Sequence, residues 1–405
     1  MGSDRTDIVN QWGGKLSFFF AYTHFSHDLT TGLLAALLPF IVQDLKLNYL
    51  QAGFLVSAFS LMAGFAQLLG GWLSDRIKRK NSLALGLGGV GISAVAVGFA
   101  GSYVAMLVVL IAMGIFAGFY HPSAVSTLTG DFEERRRGKV IALHNVGGSL
   151  GFGIGPLFGA IIASKLNWHF SFVFLGIPAL IAAVLVFSRL KLPSSSVVAG
   201  GVHAAVGERK RRGTIWQVFR SVLAIVAISV AMQLITGPVM SFMSLFLANV
   251  RHLTDAAASM WVTVVRMGGL AGGLVGGWLT DRWGRRNTIL LTLIAFGPVT
   301  YALAKLPFGV ALACALILFG WLMTMREATM QTLLMDAAPA HLRATIFGIY
   351  FGFGQQGTSV IQPLAGQLMD SMGIVGVYNT IAYASIGLSC LAGVLALHRS
   401  KATRA

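Results

Sequence analysis

Asp28 and Glu327 are carboxylates set inside long apolar runs, YTHFSHDLTTGLLAALLP and GWLMTMREATM, while most other acids of the chain fall in polar loops. A carboxylate in an apolar setting that opens in turn to each side of a barrier can take a proton from one side and release it to the other. That is the chemistry these two acids suggest. The other reading is a structural ion pair of Asp28 or Glu327 with Arg266 or Arg326, which also interrupt apolar runs. His24 and Asp28 are four residues apart and share a helix face. Arg326 and Glu327 are neighbours, so they point about 100° apart on a helix and serve different partners. His24, Asp28, His121 and Glu327 together offer donors that hard or borderline metal ions accept. No nucleophile motif, phosphate-binding loop or cofactor fingerprint accompanies them, so neither an enzyme nor a cofactor is expected.

The elements that must position these residues are set by composition. The chain has 405 residues, 56% of them hydrophobic and only 11% charged, with a mean hydropathy of +0.75. A soluble domain carries about 25% charged residues, so lipid is the expected solvent. Glycine is abundant, with 49 residues, as is usual where membrane helices pack closely. Cys314 and Cys390 lie in apolar stretches, and no disulfide framework is expected. Twelve stretches are long and apolar enough to span a bilayer. Six cover 16–42, 49–74, 82–101, 104–129, 139–164 and 168–190. Six more cover 216–249, 256–280, 287–306, 309–335, 343–369 and 374–397. The polar segment 191–215 reads as a linker between two units, 1–190 and 216–405.

Lysine and arginine orient the spans. RIKRK at 76–80, RRRGK at 135–139, ERKRR at 208–212 and Arg282, Arg285 and Arg286 all fall on one side if the N-terminus is cytoplasmic. Both termini are then cytoplasmic, and no cleavable signal peptide is expected. The +16 net charge reads as this bias, with attraction to anionic lipid of the inner leaflet. The basic clusters are short and separated by spans, which argues against nucleic acid as a partner.

The chain also repeats itself. GGWLSDRIKRKN at 70–81 returns as GGWLTDRWGRRN at 276–287, 206 residues on. RGKVIAL at 137–143 aligns with RATIFGI at 343–349, and GPLFG at 155–159 with QPLAG at 362–366, shifted by one. The same spacing sets His121 opposite Glu327 and Tyr120 opposite Arg326. A doubled six-helix unit is a transporter architecture.

The repeated loop resembles the signature of the major facilitator superfamily, Gly-x-x-x-Asp-Arg-x-Gly-Arg-Arg/Lys between the second and third helices of each half. The second copy fits through Gly277, Asp281, Arg282, Gly284, Arg285 and Arg286; the first fits at Gly71, Asp75, Arg76 and Arg79 but has Lys78 in place of glycine. The resemblance implies an all-α membrane protein of twelve helices in two pseudo-symmetric bundles, with these loops as cytoplasmic latches. GSLGFGIGPLFG at 148–159, with Gly151, Gly155, Pro156 and Gly159, resembles the helix-5 motif of proton-driven exporters; plain close packing explains its glycines equally well. In the superfamily helices 1, 4, 7 and 10 line the central cavity. The resemblance thus nominates His24, Asp28, Tyr120, His121, Gln233, Thr236, Arg326 and Glu327, with Arg266 as a further anion-binding candidate. His27 and His144 read as packing residues.

SHDLTTGLLAALLP and GFYHPSA are similar to segments of fosmidomycin-resistance-type exporters through Ser26, His27, Leu37, Leu38, Pro39, Tyr120, His121 and Pro122. Here Asp28 directly follows the histidine, and Ser123 stands where that branch has a glutamate. The expectation is a proton-coupled antiporter of a bacterial inner membrane, working as a monomer. Its substrate would be a small anionic or amphipathic compound and its protons would pass through Asp28 or Glu327. Organic-anion uptake, transport of a metal or metal chelate, and a transporter-like receptor are the alternatives.

Overall fold

The computed structural model describes residues 14–74, 79–132, 134–190, 212–337 and 343–402. Span 1 is made of two helices, Gly14–Thr31 and Leu33–Asp44. Spans 2 to 6 are Tyr49–Ser74, Arg79–Val97, Tyr103–Asp131, Glu134–Lys165 and Trp168–Arg189. Span 7 is again two helices, Arg212–Ser241 and Met243–Asn249, bent by 41° after Pro238. Spans 8 to 10 are Asp255–Trp283, Arg285–Lys305 and Val310–Ala337. The expected spans 11 and 12 run as one helix, Arg343–Ala402, broken at Gly373 where φ is 76° and ψ 162°. That conformation is open to glycine almost alone. Each piece is about 45 Å long at 1.5 Å per residue, enough to cross a hydrocarbon core of about 30 Å. The count of twelve predicted from hydropathy therefore holds, although the turn expected near 370–373 is a single-residue break.

Six crossings per half bring the helix ends at 14, 189, 212 and 402 to one face, called here the linker face. The other is the far face. Four spans that start there have hydroxyl or amide caps, span 2 among them, where Asn48 Oδ1 accepts the Gln51 N–H. Ser102, Asn167 and Thr254 accept the backbone N–H groups of Ala105, Phe170 and Ala257, as helix N-termini require. Phe99, Val184, Leu274 and Val310 point outward and are largely exposed, which is the arrangement a lipid-facing surface needs.

Packing repeats between the halves. Span 1 lies on span 5, span 2 on span 4 and span 3 on span 6; in the second half span 8 lies on span 10 and span 9 on span 12. The halves meet most extensively along two seams, span 2 with span 11 and span 5 with span 8, and span 1 also touches spans 7 and 8. A shift of six spans exchanges these seams, as a two-fold axis along the membrane normal demands. The described hydrogen bonds between halves run from mid-depth to the far face. Ser57 Oγ donates to the Ser359 carbonyl (2.7 Å), and Ser244 and Ser259 donate to the carbonyls of Ala35 and Ala36 (2.6 Å each). At the far face itself, the Asp370 carboxylate accepts the backbone N–H groups of Tyr49 and Leu50, both at 2.9 Å. A carboxylate on a helix N-terminus stabilises by roughly 1 kcal/mol. Asp370→Ala should therefore raise the open-to-closed ratio of the far face about five-fold. Thiol-labelling rates at a cysteine placed at Gly101, in the far-face loop before span 4, would read that change.

Candidate functional site

Span 1 carries the centre of the site just before its break. Thr30 Oγ1 donates to the carbonyls of Ser26 and Leu175, tying this turn to its own helix and to span 6. Asp28 lies on that turn with both oxygens occupied. His24 Nε2 is 3.2 Å from Oδ2, the i,i+4 contact expected from the spacing, and His27 Nδ1 is 2.7 Å from Oδ1. His24 Nδ1 lies 2.9 Å from the His144 carbonyl. A carbonyl only accepts, so Nδ1 carries a hydrogen. The remaining contact, Nε2 to Oδ2, then has two solutions. Either His24 is an imidazolium facing a carboxylate, or it is neutral and Asp28 holds the proton. Both contain one exchangeable proton, shared between His24 and Asp28.

Spans 4 and 5 wall this pair. Tyr120 stacks on His27 with centroids 4.7 Å apart, and its hydroxyl meets Thr23 Oγ1 at 2.8 Å. His121 stands edge-on to His24 (5.2 Å) and His27 (4.9 Å). His144 stacks on His24 at 4.1 Å and bonds the Phe20 carbonyl through Nδ1 at 3.1 Å. All of these rings except that of His121 belong to buried residues. His27 Nε2 has no hydrogen-bond partner among the described residues. Span 5 comes this close because its facing positions are glycines. A Cβ at Gly148 would collide with the His24 ring, one at Gly151 with the Phe25 carbonyl, and one at Gly155 would lie 2.6 Å from the Leu29 carbonyl. Gly159 faces Leu33 of the same helix pair. Gly148→Ala should therefore push His24 off Asp28. Any transport that depends on the His24–Asp28 contact should then fall at least ten-fold, while the amount of protein in the membrane stays near wild type.

His27 and His144 were expected only to pack. Adjacent residues on a helix do not normally face each other, which hides His27, and His144 reaches the site through its backbone carbonyl and ring face. The repeat contains a signal for both. The 206-residue spacing sets Thr23, His27, Tyr120, His121 and His144 opposite Ser229, Gln233, Arg326, Glu327 and Tyr350.

The second set also clusters, and the Gln233–Arg326 contact matches that of His27 with Tyr120. Ser229 Oγ donates to the Tyr350 hydroxyl at 3.0 Å, and Arg326 NH2 donates to Gln233 Oε1 at 3.3 Å, where Thr236 Oγ1 also donates. Arg326 is 5% exposed, and its Nε and NH1 have no partner among the described residues. Glu327 is exposed and meets Gln331 Nε2 at 3.4 Å. The ion pairs set out as the alternative do not form among the described residues. Asp28 has its oxygens filled by histidines of its own helix, and Glu327 is exposed whereas Arg326 is buried. Arg266, from span 8, crosses to the other half: NH1 donates to the carbonyls of Gly32 (3.1 Å) and Phe152 (2.9 Å), and the guanidinium lies 3.7 Å over the Phe152 ring.

The latch residues divide between described and undescribed regions. Asp75, Arg76 and Lys78 lie outside the described residues. Gly71 is in the last turns of span 2, and Arg79 is buried in the first turn of span 3. In the second copy Gly277, Asp281 and Arg282 are exposed at the end of span 8, and Arg282 sits over its own Trp278 ring. Gly284 takes φ 80° and ψ 155° between spans 8 and 9, so the signature glycine occupies a turn that a side chain would strain. Arg285 opens span 9.

Comparison with known proteins places this architecture. The sequence model of the Major Facilitator Superfamily matches residues 20–363. The uncharacterized MFS-type transporter YfnC of Bacillus subtilis is 23% identical over 372 residues, covering 90% of this chain and 88% of its own. The fosmidomycin resistance protein of Escherichia coli is 22% identical over 377 residues, covering 89% and 88%. The crystal structure of the nucleoside transporter NupG superposes with a TM-score of 0.73 at 15% identity, covering 93% of this chain and 97% of that one, a likeness of fold. With the match spanning most of both halves, the chain belongs to the Major Facilitator Superfamily.

Proposed function

We propose that the chain is a proton-coupled antiporter that exports a small anionic or amphipathic compound by alternating access of its two halves. The observation that carries this reading is Asp28, with both carboxylate oxygens held by imidazoles in a site that fixes one exchangeable proton. An ionisable group within a membrane span is costly and marks a functional site. The groups facing Asp28 are His24 and His27 from span 1, Tyr120 and His121 from span 4, His144 from span 5 and Arg266 from span 8. Spans 3 and 6 bring no titratable side chain between 81 and 97 or between 170 and 188. Glu327, which accepts a hydrogen bond from Gln331, is the second proton candidate. Arg326, with Gln233 and Thr236 beside it, supplies the anion-binding pole. The name of the Escherichia coli relative, a resistance protein, supports export. In this reading the linker face is cytoplasmic, in a bacterial inner membrane, and a monomer suffices.

The test is transport into proteoliposomes under an imposed pH gradient. Small phosphonates, carboxylates and amphipathic drugs would be screened with wild type, Asp28→Asn and Glu327→Gln. Flux that ignores the gradient and both substitutions sinks the antiporter. A metal or metal chelate as cargo is the second reading, because one donor each of His24, Asp28 and His121 lie within 4.8 Å of one another. Flux of a divalent ion abolished by chelation, with organic anions unmoved, would put that reading first.

A further inference from the structure

Pro156 has no N–H, so the carbonyl four residues before it, that of Phe152, has no helical partner within span 5. Arg266 NH1, from the opposite half, donates to that carbonyl at 2.9 Å. Two other prolines do the same. Pro39 frees the Ala35 carbonyl, which accepts Ser244 Oγ at 2.6 Å, and Pro363 frees the Ser359 carbonyl, which accepts Ser57 Oγ at 2.7 Å. Each of these bonds joins one half to the other, and all three lie between mid-depth and the far face. At these three places a proline within a span hands a main-chain acceptor to the neighbouring half.

Arg266 differs from the two serines in carrying charge beside the proton site. Its NH1 also holds the carbonyl of Gly32, whose own N–H bonds the Asp28 carbonyl at 3.0 Å. Asp28 is therefore one helical turn away and within electrostatic reach. Opening the far face must part span 5 from span 8 and carry Arg266 away from Asp28.

We propose that Arg266 is the positioning residue through which the charge of the His24–Asp28 pair governs closure of the far face, with the carbonyl freed by Pro156 as its clasp. With its proton, the pair has no net charge. Without it, the pair is negative and draws the guanidinium to the closed position. With no substrate bound, deprotonation at this site then holds the far face shut, and protonation lets it open. An exchanger needs such a rule, because opening with an empty site would leak. The charge-sensing half of this proposal rests on the proton reading of Asp28; the clasp does not. The other titratable groups around Asp28, namely His27, Tyr120, His121 and His144, are all in the same half and move with it.

The experiment is a spin-label distance across the far face, between Gly101→Cys and Gly309→Cys, with Cys314 and Cys390 replaced by serine, in lipid nanodiscs. Both glycines have open space for a side chain. In wild type the open fraction should rise as pH falls. Pro156→Ala returns an N–H that competes for the Phe152 carbonyl and should raise the open-to-closed ratio about ten-fold, with its pH dependence kept. Arg266→Gln should raise it by a similar factor and flatten the pH dependence. If neither variant opens the far face, the clasp is refuted. If Arg266→Gln keeps the wild-type pH profile, charge sensing is refuted. A wild type indifferent to pH, but opened by Pro156→Ala, also refutes sensing; the gradient-driven flux assay then judges the proton reading separately.

Discussion

Asp28→Asn is expected to abolish concentration of substrate by a pH gradient while leaving exchange of substrate for substrate intact. The substitution suits the site. With His24 held as the Nδ1–H form by the His144 carbonyl, an asparagine amide can donate to His24 Nε2 and accept from His27 Nδ1. It therefore reproduces both contacts of the protonated aspartic acid, and nothing in the packing must move. Only the exchangeable proton is lost. For one proton per substrate, each pH unit of gradient supports about ten-fold accumulation. Wild type should approach that ratio in proteoliposomes, and Asp28→Asn should remain near one. Counterflow of labelled against unlabelled substrate, with no gradient, should stay within about three-fold of wild type. Loss of both activities would mark Asp28 as a structural residue. Retention of both would move the proton to Glu327, and Glu327→Gln would then show the split.

Arg326→Gln is expected to weaken binding of anionic substrates by about ten- to a hundred-fold, the value of a charge-assisted hydrogen bond out of water. The same change should raise thermal stability without ligand. Arg326 is buried with two of its nitrogen positions unpartnered among the described residues. Each buried donor without a partner costs about 1–3 kcal/mol, so the empty site stores a penalty that an anion relieves. Removing the charge removes the penalty and the affinity together. A structural arginine would behave in the opposite way, with stability falling and affinity following it. Titration with the screened phosphonates and carboxylates, beside a melting curve of the empty protein, separates the cases. Arg326→Lys should resemble Arg326→Gln in affinity, because an ammonium cannot present the planar guanidinium geometry.

Much of this was legible in the chain. Low charge, the twelve apolar runs and the doubled loop are local properties, and they yielded the span count, the pseudo-symmetry and the family resemblance. The His24–Asp28 contact followed from a four-residue spacing on one helix. Relations between helices were harder. His27 meets Asp28 although adjacent residues seldom face each other, and His144 acts through a backbone carbonyl that no side-chain pattern marks. Arg266 read as a partner for an acid or an anion, and its acceptors are main-chain carbonyls of the other half. One of those carbonyls is available only because Pro156 follows four residues later. That dependence joins two distant segments and is visible only once spans 5 and 8 lie together. The division between spans 11 and 12 was legible at 370–373, and what stayed hidden is that a single residue, Gly373, makes the whole break.

The main-chain acceptors between the two halves bear on turnover. A carbonyl released by Ser57, Ser244 or Arg266 is not stranded when the far face opens, because water enters the same gap and bonds to it. The exchange of a protein donor for a water donor nets only about 0.5–1.5 kcal/mol for a neutral pair and about 1.5–3 kcal/mol for a charged one. A cycle of 1–1,000 events per second requires a barrier of about 13–17 kcal/mol. These bonds therefore contribute a minor part of that barrier and can open and close repeatedly without setting the rate. What they set is the resting preference between states, and a difference of about 1.4 kcal/mol in any one donor shifts that preference ten-fold.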